Sequence, residues 1–545
     1  MNAQTLTRTA RYKLQVVRTL LDTGMFEPTR PDRVMHSLTA LRRWGATPAG
    51  AYSSSSARYP DRLALVDERG SLTFAQTQRR TNALARELRA SGISEGDGVA
   101  IMCRNHRGFV EATVACSKLG AGALLLNTAF AGPQIADVLD RERPVAVIYD
   151  EEFGDLVSEG AADRARFIAW SEPRIGAGAS SGDPLLEDLI ARGDDAELQP
   201  PTEKGRVVIL TSGTTGTPKG AARTQSDSIE PAAALFSKIP LRARQATMIA
   251  APMFHSWGFA HFQLGLPLAS TLVLRRRFDA EETLNAVAQH RASTLVVVPV
   301  MLQRILNLPA QTIARYDVSC LQVIAVSGSA LPGELATRAM DVFGDVLYNL
   351  YGSTEVAWAT IATPEDLRAA PGTAGRPPMG TTVKLLDDEG REARPGQGGR
   401  IFVANELVFD GYTDGANKEI VHGLVSTGDV GRFDSGGRLF VDGRDDEMIV
   451  SGGENVFPRE VEDLLADHED IEDVAVVGVE DEEFGQRLKA FVVAREDSAL
   501  TVEDVQAYVK ANLARYKVPR DVVFVSELPR NATGKILKRE LRTHR

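Results

Sequence analysis

A stretch rich in glycine and threonine has the chemistry of a phosphate-binding loop. Residues 210–220 read Leu-Thr-Ser-Gly-Thr-Thr-Gly-Thr-Pro-Lys-Gly and follow an apolar, strand-like run at 207–209. Glycines let a backbone approach a polyanion, hydroxyl groups donate to phosphate oxygens, and a lysine adds positive charge. The candidate residues are Thr211, Ser212, Gly213, Thr214, Thr215, Gly216 and Lys219. Because the spacing differs from that of a Walker A loop, it disfavours a kinase-like or GTPase-like function.

A second motif, Tyr351-Gly352-Ser353-Thr354-Glu355, carries groups that a nucleotide and its metal ion require. The Tyr351 ring can stack on a base, and Gly352 permits a turn. Thr354 offers a hydroxyl to a phosphate, and Glu355 can hold a magnesium ion that keeps most of its waters. The motif therefore complements the phosphate-binding loop.

Three single polar residues nearer the C-terminus could complete such a site. Asp429 follows a tight turn, where a carboxylate can accept hydrogen bonds from both ribose hydroxyls. Arg444 is a fixed cation that can reach ribose or phosphate. Lys535 follows Gly534 on a polar turn and presents a mobile ammonium group.

An apolar and aromatic segment could line a pocket for an acyl group. Residues 252–259 read Pro-Met-Phe-His-Ser-Trp-Gly-Phe, and apolar residues continue to Gly265. Its histidine, His255, taken alone is more typical of a core histidine whose hydrogen bonds are satisfied.

The order of apolar runs and helical patterns predicts an α/β fold. Over most of the chain, runs of valine, isoleucine and leucine alternate with helical patterns, as a largely parallel sheet covered by helices requires. Residues 271–274, 294–298 and 321–326 are predicted strands. Asp279 is predicted to cap a helix that runs to about His290.

The pattern changes near residue 444, where a smaller domain is predicted to begin. The expected elements are a helix over 458–466, strands over 474–479 and 488–493, and a helix capped by Thr501 that ends near Leu513. This length is enough for a small, mobile α+β lid. We predict an N-terminal extension over 1–49, a large α/β domain over 50–443 and the lid over 444–545.

Composition argues against several classes of protein. The 545 residues carry a formal charge of −11 and a pI near 5.4, which argues against a general nucleic-acid binder. Cys103, Cys116 and Cys320 form no CxxC pair, so we expect a reducing compartment and no structural zinc. The start of the chain has no secretory signal and no run is apolar enough to span a membrane, which favours a cytoplasmic location.

The first residues form a basic arm whose charge is opposite to that of the whole protein. Eight Lys/Arg stand against three Asp/Glu between Met1 and Arg43. The apolar stripe of a first predicted helix consists of Leu14, Val16, Val17, Leu20 and Leu21, and a second amphipathic helix is expected beyond Pro31. We expect both helices to pack on the body, with peripheral contact at the inner face of an anionic membrane as the alternative.

In this order along the chain, the motifs resemble those of the adenylate-forming superfamily of acyl-CoA synthetases, nonribosomal-peptide adenylation domains and luciferases. The resemblance extends from about Tyr59 to the C-terminus, and residues 452–458, Gly-Gly-Glu-Asn-Val-Phe-Pro, are similar to the fatty acyl-CoA ligase branch. It implies ATP-dependent conversion of a carboxylic acid to acyl-AMP, then displacement of AMP by the thiol of CoA, with Mg²⁺ as cofactor. The apolar segment at 254–265 favours a medium- to long-chain fatty acid or another apolar acid as substrate.

The resemblance also implies roles for individual residues. Thr211 to Lys219 would hold the β- and γ-phosphates, Thr354 and Lys535 the α-phosphate and the substrate carboxylate, and Glu355 the magnesium ion. Gly328, Ser329, Ala330 and Tyr351 would form the adenine pocket, and Gly352 would belong to the same nucleotide site. Asp429 and Arg444 would contact ribose, and His255 would lie between the acyl group and the nucleotide. Asp446 would be the hinge of the lid, and Gly453 would line the pantetheine tunnel. Asn455 replaces an arginine of some relatives, which puts in doubt the transfer of their CoA-phosphate contacts.

Other functions stay open. An acyl-AMP ligase would deliver its product to a carrier protein rather than to CoA. A catalytically silent nucleotide-binding regulatory protein predicts loss of Lys535, Glu355 or Asp429, and all three are present. A membrane-bound acyl-binding protein without catalysis would leave the nucleotide motifs unexplained. The acid itself and the oligomeric state, a homodimer included, also stay open.

Overall fold

The computed structural model describes residues 3–27, 29–161, 163–172, 182–211, 219–222, 228–387, 389–394, 396–413, 415, 417–451, 454–481, 485–496, 498–531 and 534–543. The chain divides into two compact units. Unit 1 comprises Met1–Val297, Asn307–Ala325 and Glu406–Asn417, and unit 2 comprises Val298–Leu306, Val326–Asn405 and Lys418–Arg545. The domain boundaries expected near residues 49 and 443 stay predictions.

The helices and strands of the first half alternate along the chain. In order they are α1 (Ala3–Asp22), α2 (Pro31–Trp44), α3 (Pro48–Arg58), β1 (Leu63–Asp67), β2 (Gly70–Thr73), α4 (Phe74–Ala90), β3 (Gly98–Met102), α5 (Arg107–Leu119), β4 (Gly122–Leu125), α6 (Gly132–Glu142), β5 (Ala146–Asp150), α7 (Gly154–Gly160), β6 (Ala165–Trp170), α8 (Leu186–Arg192), β7 (Val207–Thr211), β8 (Lys219–Ala222), α9 (Glu230–Phe236), β9 (Ala246–Ile249), α10 (Ser256–Gly265), β10 (Thr271–Leu274), α11 (Ala280–His290) and β11 (Ala292–Val297).

The second half has more strands than helices. In order its elements are α12 (Pro299–Leu306), α13 (Ala310–Ile313), β12 (Val323–Val326), α14 (Gly333–Phe343), β13 (Leu347–Tyr351), β14 (Thr360–Ala362), α15 (Pro364–Ala369), β15 (Thr382–Leu386), β16 (Gly399–Ala404), β17 (Gly411–Tyr412), β18 (Ile420–Val421), β19 (Leu424–Phe433), β20 (Leu439–Arg444), β21 (Ile449–Ser451), β22 (Glu454–Val456), α16 (Pro458–Ala466), β23 (Ile471–Asp481), β24 (Gly485–Ala494), α17 (Val502–Asn512), β25 (Asp521–Phe524) and α18 (Lys538–Thr543).

Unit 1 is built on two largely parallel sheets, as the sequence predicts. One contains the strands β12-β11-β9-β10-β1-β2 in that order, in which β11, β9, β10 and β1 are parallel and β2 runs antiparallel to β1. The other has the order β17-β8-β7-β4-β3-β5-β6, in which β7 to β6 are parallel and β8 and β17 are antiparallel. Every residue of β5 and β11 is buried, because helices cover both faces of a parallel sheet.

Unit 2 contains antiparallel sheets. Strands β15-β16-β19-β18, with β20 paired to β19, form one that the alternation of strands and helices did not predict. The C-terminal sheet has the order β22-β21-β24-β23, and β25 pairs in parallel with β24. Helices α16 and α17 bury Val461, Leu465, Val505 and Val509 in its apolar core. This is the small α+β arrangement expected at the C-terminus.

Local predictions based on capping residues are confirmed. The Asp279 side chain accepts a hydrogen bond from the Glu282 backbone N–H at 2.9 Å and caps α11. Thr501 and Asp504 form a reciprocal capping box at the start of α17. The helix predicted over 458–466 has those bounds in α16. Within the described ranges, none of the helices combines the length and the apolar character that crossing a membrane requires.

Candidate functional site

The segment predicted to bind phosphate connects two adjacent strands of unit 1, β7 and β8. Strand β7 pairs in parallel with β4, so the loop leaves the carboxyl end of a strand of a parallel sheet, where ligands of open α/β folds commonly bind. Thr211 is paired with Lys219 across the β7–β8 ladder, which brings the two ends of the loop together. The predicted ligands Ser212, Gly213, Thr214, Thr215 and Gly216 and the side chain of Thr211 lie outside the described residues.

Lys219 is positioned by a strand that comes much later in the chain. Its Nζ atom lies 5.3 Å from the centre of the Tyr412 ring, within the range of a cation–π contact. Tyr412 belongs to β17, which pairs with β8 through Tyr412 and Ala221. Sequence reasoning identified Lys219 but missed Tyr412, because nothing local to either residue predicts the pairing of β8 with β17.

In unit 2, Tyr351 and Asp429 are joined by a short hydrogen bond. The Tyr351 hydroxyl donates to Oδ2 of Asp429 at 2.5 Å and contacts Oγ1 of Thr427 at 3.2 Å. Burial and the neighbouring Asp429 carboxylate raise the pKa of Tyr351 well above its ordinary value, so the hydroxyl keeps its proton. The sequence predicted a role for the Tyr351 ring only, whereas in the structure the Tyr351 hydroxyl also has a hydrogen-bond partner, Asp429.

Asp429 also lies close to a cation, Arg444. It is paired with Arg444 across the β19–β20 ladder, and the Arg444 Nε atom lies 3.8 Å from Oδ1. The carboxylate is 14% exposed. Burial raises its pKa, and the hydrogen bond from Tyr351, then the charges of Arg444 and Lys535, act in the opposite direction. Two other predicted site residues of unit 2, Tyr351 and Arg444, therefore contact this carboxylate.

The turn that carries Lys535 is held by its neighbours while the lysine side chain is exposed. The Lys535 backbone N–H donates to Oδ1 of Asn531 at 2.9 Å. Gly534 has a φ of +79°, and a Cβ atom there would lie 2.4 Å from Cγ1 of Val300, so only glycine fits. Arg530 donates to the Gly534 carbonyl and forms an ion pair with Asp473 at 2.6 Å. These contacts hold Asn531, Gly534 and the Lys535 backbone, whereas the Lys535 side chain is exposed.

The segment after Tyr351 forms a tight turn. A Cβ atom on Gly352 would lie 2.3 Å from the Ala357 carbonyl oxygen, so close backbone packing explains this glycine. Glu355 is buried, and its backbone N–H donates to Oγ of Ser353 at 3.3 Å. Mg²⁺ is commonly held by one or two carboxylates together with substrate phosphates and water. One buried carboxylate beside the hydroxyls of Ser353 and Thr354 fits that set of donors.

Three of the residues predicted for adenine, Gly328, Ser329 and Ala330, follow β12. Gly328 and Ala330 are exposed and Ser329 is half-buried, so their backbone is accessible to a ligand. The predicted hinge residue Asp446 lies in a short 3₁₀ turn over Asp445–Glu447, and its side chain lies outside the described residues. Gly453, predicted for the pantetheine tunnel, also lies outside them.

Helix α10 carries the predicted acyl-pocket residues of unit 1. His255 precedes the helix and is half-buried, whereas Trp257, Phe259 and Phe262 are buried. The helix also contains a second histidine, His261, which sequence reasoning missed. Trp257 and His261 are four residues apart, a helical spacing that could have identified the pair.

His261 is the most unusual titratable group of this helix. It is 3% exposed, its ring packs edge-on against Trp257 at 4.3 Å, and its Nδ1 atom lies 3.2 Å from the Trp257 carbonyl oxygen. Burial lowers the pKa of His261 to about 4, so the ring is neutral near pH 7. With its proton on Nδ1, the ring has an acceptor at Nε2, which has no hydrogen-bond partner among the described residues.

A buried cluster elsewhere in unit 1 has a structural role. Ligand atoms of Cys103, His106 and Asp150 lie within 4.8 Å of one another. However, His106 Nε2 is bonded to Asp150 at 2.7 Å, and Nδ1 accepts from the Gly108 backbone N–H at 3.0 Å. Because both ring nitrogens are used, the histidine caps α5 and fixes it to β5 rather than offering a metal ligand.

Comparison with known proteins finds similarity along most of the chain. Residues 52–413 match the family model described as AMP-binding enzyme, and residues 460–535 match that of the AMP-binding enzyme C-terminal domain. The chain is 34% identical to the indoleacetate–CoA ligase of Aromatoleum aromaticum, over 92% of this chain and 97% of the relative. It is 29% identical to the fatty acid–[acyl-carrier-protein] ligase ScoC of Streptomyces coeruleorubidus, over 89% and 93% of the two chains.

Solved structures share the fold. The crystal structure of the anthranilate CoA ligase AuaEII in complex with anthranoyl-AMP superposes with a TM-score of 0.81 at 24% identity, covering 92% of this chain and 97% of the other. At that identity the likeness concerns the fold alone.

Proposed function

Because the chain belongs to the AMP-binding enzyme family, we propose that it activates a carboxylic acid with ATP and transfers the acyl group to CoA. The carboxylate attacks the α-phosphate, pyrophosphate leaves, and the CoA thiol then displaces AMP to give the thioester. The observation that supports this most directly is the contact of Tyr351 and Arg444 with Asp429. It places a hydrogen-bond acceptor for ribose beside a fixed cation within one unit.

Each residue of this cluster has a proposed task in the first half-reaction. Asp429 accepts hydrogen bonds from the ribose hydroxyls, and Tyr351 fixes the carboxylate that does so. Arg444 adds charge beside ribose. Lys535 reaches the α-phosphate and the substrate carboxylate and offsets the negative charge that develops between them. In unit 1, Lys219 acts on the β- and γ-phosphates together with the loop before it.

The remaining predicted residues have roles in binding. Residues 328–330 contact adenine, and Thr354 donates to the α-phosphate. Glu355 holds Mg²⁺, which supplies charge neutralisation of the phosphates when it is bound. His255 separates the acyl group from the nucleotide. Rotation of the lid about Asp446 withdraws Lys535 and presents Gly453 to the CoA thiol, so that one enzyme performs two displacements at the same carbonyl carbon.

We propose an aromatic acid as the substrate, ahead of the fatty acid expected from the sequence. The relatives named above include a ligase for indoleacetate, which is an aromatic acid. Helix α10 contributes Trp257, Phe259 and Phe262, whose rings suit a flat apolar group. The neutral His261 would accept a hydrogen bond from a ring N–H or O–H of such a substrate.

A second function is favoured by the relative that acylates a carrier protein. In that alternative the chain forms acyl-AMP in the same way but delivers the acyl group to the phosphopantetheine thiol of a carrier protein. The first half-reaction is then unchanged, and only the acceptor differs.

One assay separates these functions. Purified protein with Mg-ATP is given a panel of acids that includes indoleacetate, benzoate, hexanoate and palmitate, with and without CoA. We expect AMP and pyrophosphate with an aromatic acid, acyl-hydroxamate when hydroxylamine is added, and acyl-CoA only when CoA is present. Hydroxamate without CoA-dependent thioester identifies the carrier-protein alternative, and preference for palmitate identifies a fatty acid ligase. Formation of ADP, or of no AMP with any acid, contradicts the proposal.

A further inference from the structure

The first two helices carry an unusual number of exposed apolar side chains. Across the described residues, fourteen large apolar side chains are exposed, and seven of them lie between residues 14 and 41. They are Leu14, Val17, Leu21, Phe26, Met35, Leu38 and Leu41. Single exposed apolar residues are normal on a protein surface, but such a concentration in so short a segment marks an interaction surface.

Helix α1 has two apolar sides, and only one of them packs on the body of unit 1. Val16 and Leu20 are 4% and 3% exposed where α1 packs on α9. Tyr12 lies on the same side, and its burial and a hydrogen bond with Glu230 of α9 raise its pKa to about 12. This side satisfies the expectation that the helix packs on the body.

The second apolar side of α1 is left exposed. Leu14, Val17 and Leu21 are 71%, 51% and 56% exposed. At 100° per residue, their mean direction lies about 130° around the helix from that of Tyr12, Val16 and Leu20. The stripe predicted from the sequence as one packing face is therefore divided, and the prediction that Leu14, Val17 and Leu21 pack on the body is wrong.

Helix α2 repeats this division. Its inner side packs on α3, where Trp44 is buried and Oγ of Ser37 lies 2.7 Å from Oγ of Ser54. Met35, Leu38 and Leu41 remain 62%, 55% and 40% exposed. Each helix thus has one side that stabilises unit 1 and another that has no such role.

The charges around these apolar side chains identify the surface that they fit. Residues 1–43 contain eight Lys/Arg and three Asp/Glu, whereas the whole chain has a net charge of −11. Four exposed cations, Arg11, Lys13, Arg18 and Arg42, have no ion-pair partner among the described residues. Apolar side chains flanked by lysine and arginine are typical of helices that lie in the interface of an anionic bilayer.

We propose that α1 and α2 form a docking surface for an anionic lipid bilayer, through which the enzyme binds the membrane peripherally. A second copy of the chain fits this surface less well, because a symmetric contact would bring two basic arms together. The proposal concerns a part of the chain that precedes the matched AMP-binding region, so it goes beyond the proposed reaction and does not depend on it.

The test is co-sedimentation of the full chain with vesicles. One set contains equal parts of phosphatidylglycerol and phosphatidylcholine, and the other contains phosphatidylcholine alone. We expect binding to the first set, weaker binding at high salt, and little binding to the second. The combined substitution Leu14→Ser, Val17→Ser and Leu21→Ser should reduce binding at least about tenfold, since less apolar surface enters the interface. Replacing Arg11, Lys13 and Arg18 by glutamine should reduce it about fivefold for each charge removed.

A matched control uses exposed apolar residues of unit 2. The combined substitution Val342→Ser, Ile420→Ser and Tyr516→Ser removes side chains that are 49%, 54% and 42% exposed and should leave binding unchanged. Because the substituted side chains are exposed, the α1 variants should have the same midpoint of thermal unfolding as the wild type. An unaltered midpoint would show that they are folded.

Three outcomes would overturn the proposal. The first is no binding to the anionic vesicles, and the second is equal binding to both vesicle sets. The third is a vesicle-independent dimer, seen by sedimentation velocity, that the α1 substitutions dissociate while the protein does not bind vesicles. That last result would assign the surface to a second copy of the chain.

Discussion

The hydroxyl of Tyr351, at the end of β13, donates a 2.5 Å hydrogen bond to Oδ2 of Asp429 in β19. The two residues are 78 positions apart, and each was predicted from a different motif. The bond orients the Asp429 carboxylate, which is proposed to bind ribose. It also provides one of the hydrogen bonds that this carboxylate accepts. It also connects the proposed adenine contact with the proposed ribose contact.

Tyr351→Phe is expected to weaken ATP binding while keeping the aromatic ring. A hydrogen bond to a charged group is worth about 1.5 to 3 kcal/mol, so KM for ATP should rise about tenfold to a hundredfold. The effect on kcat should be smaller, because the ring and the cations remain. Steady-state kinetics of AMP formation measure both quantities. Tyr348→Phe in the same strand is the control, and equal effects of the two substitutions would contradict the proposed role of the hydroxyl.

Arg444→Gln is expected to move the acidic limb of the pH profile. The positive charge of Arg444 lowers the pKa of Asp429, which burial has raised above its ordinary value. Without that charge the pKa rises further, so Asp429 takes up its proton, and loses its capacity to accept two ribose hydroxyls, at a higher pH.

The measurement is kcat/KM for ATP as a function of pH. We expect the wild-type enzyme to lose activity as the pH falls through the pKa of Asp429, and the limb should lie at higher pH in Arg444→Gln. Arg444→Lys keeps the charge and should keep the limb close to that of the wild type. A limb that does not move in Arg444→Gln would mean that another group controls it.

The sequence predicted features that depend on neighbouring residues. The Asp279 cap, the Thr501 cap and the apolar runs of β10 and β11 need only a few adjacent positions. The family resemblance then predicted that Asp429, Arg444 and Lys535 belong to one site, and in the structure Arg444 Nε lies 3.8 Å from Asp429.

Contacts between distant strands were not predictable in this way. The hydrogen bond from Tyr351 to Asp429 and the packing of Lys219 on Tyr412 depend on which strands become neighbours, and no local pattern encodes that. The exposed side of α1 was missed for a related reason. A helical apolar stripe shows that a helix has an apolar face but not how much of it the body covers.

Lys535→Ala is expected to separate the two half-reactions. Loss of an ammonium group from a site of developing charge should slow acyl-AMP formation by about two to three decades. The variant should still convert supplied acyl-AMP to acyl-CoA, because Lys535 is proposed to be withdrawn in that step. Gly453→Leu should do the opposite, since a side chain in the pantetheine tunnel would obstruct the thiol.

Pyrophosphate release and thioester formation from synthetic acyl-AMP measure the two steps independently. Lys510→Ala, on the exposed side of α17, serves as the control and should affect neither step. If Lys535→Ala and Gly453→Leu each reduce both steps equally, the proposal of two lid positions is wrong.

His261→Phe is expected to change both pH stability and substrate preference. Burial holds the pKa of His261 at about 4, against an ordinary value near 6.5, so the unfolded chain binds a proton more readily than the folded one. The neutral ring therefore contributes stability above about pH 6.5, and this contribution is lost as the pH falls towards 4. Between pH 7 and pH 5, protonation linked to His261 should lower the free energy of unfolding of the wild type by about 2 kcal/mol. This decrease should be absent from the phenylalanine variant.

Urea unfolding at pH 7 and pH 5 tests the stability effect, with His36→Gln on the exposed side of α2 as the control. The same variant tests the proposed substrate contact. Loss of the Nε2 acceptor should lower kcat/KM about tenfold for an acid with a ring N–H or O–H and much less for an unsubstituted aromatic acid, because only the former can donate to His261. An equal loss for both acids would restrict His261 to a structural role in α10.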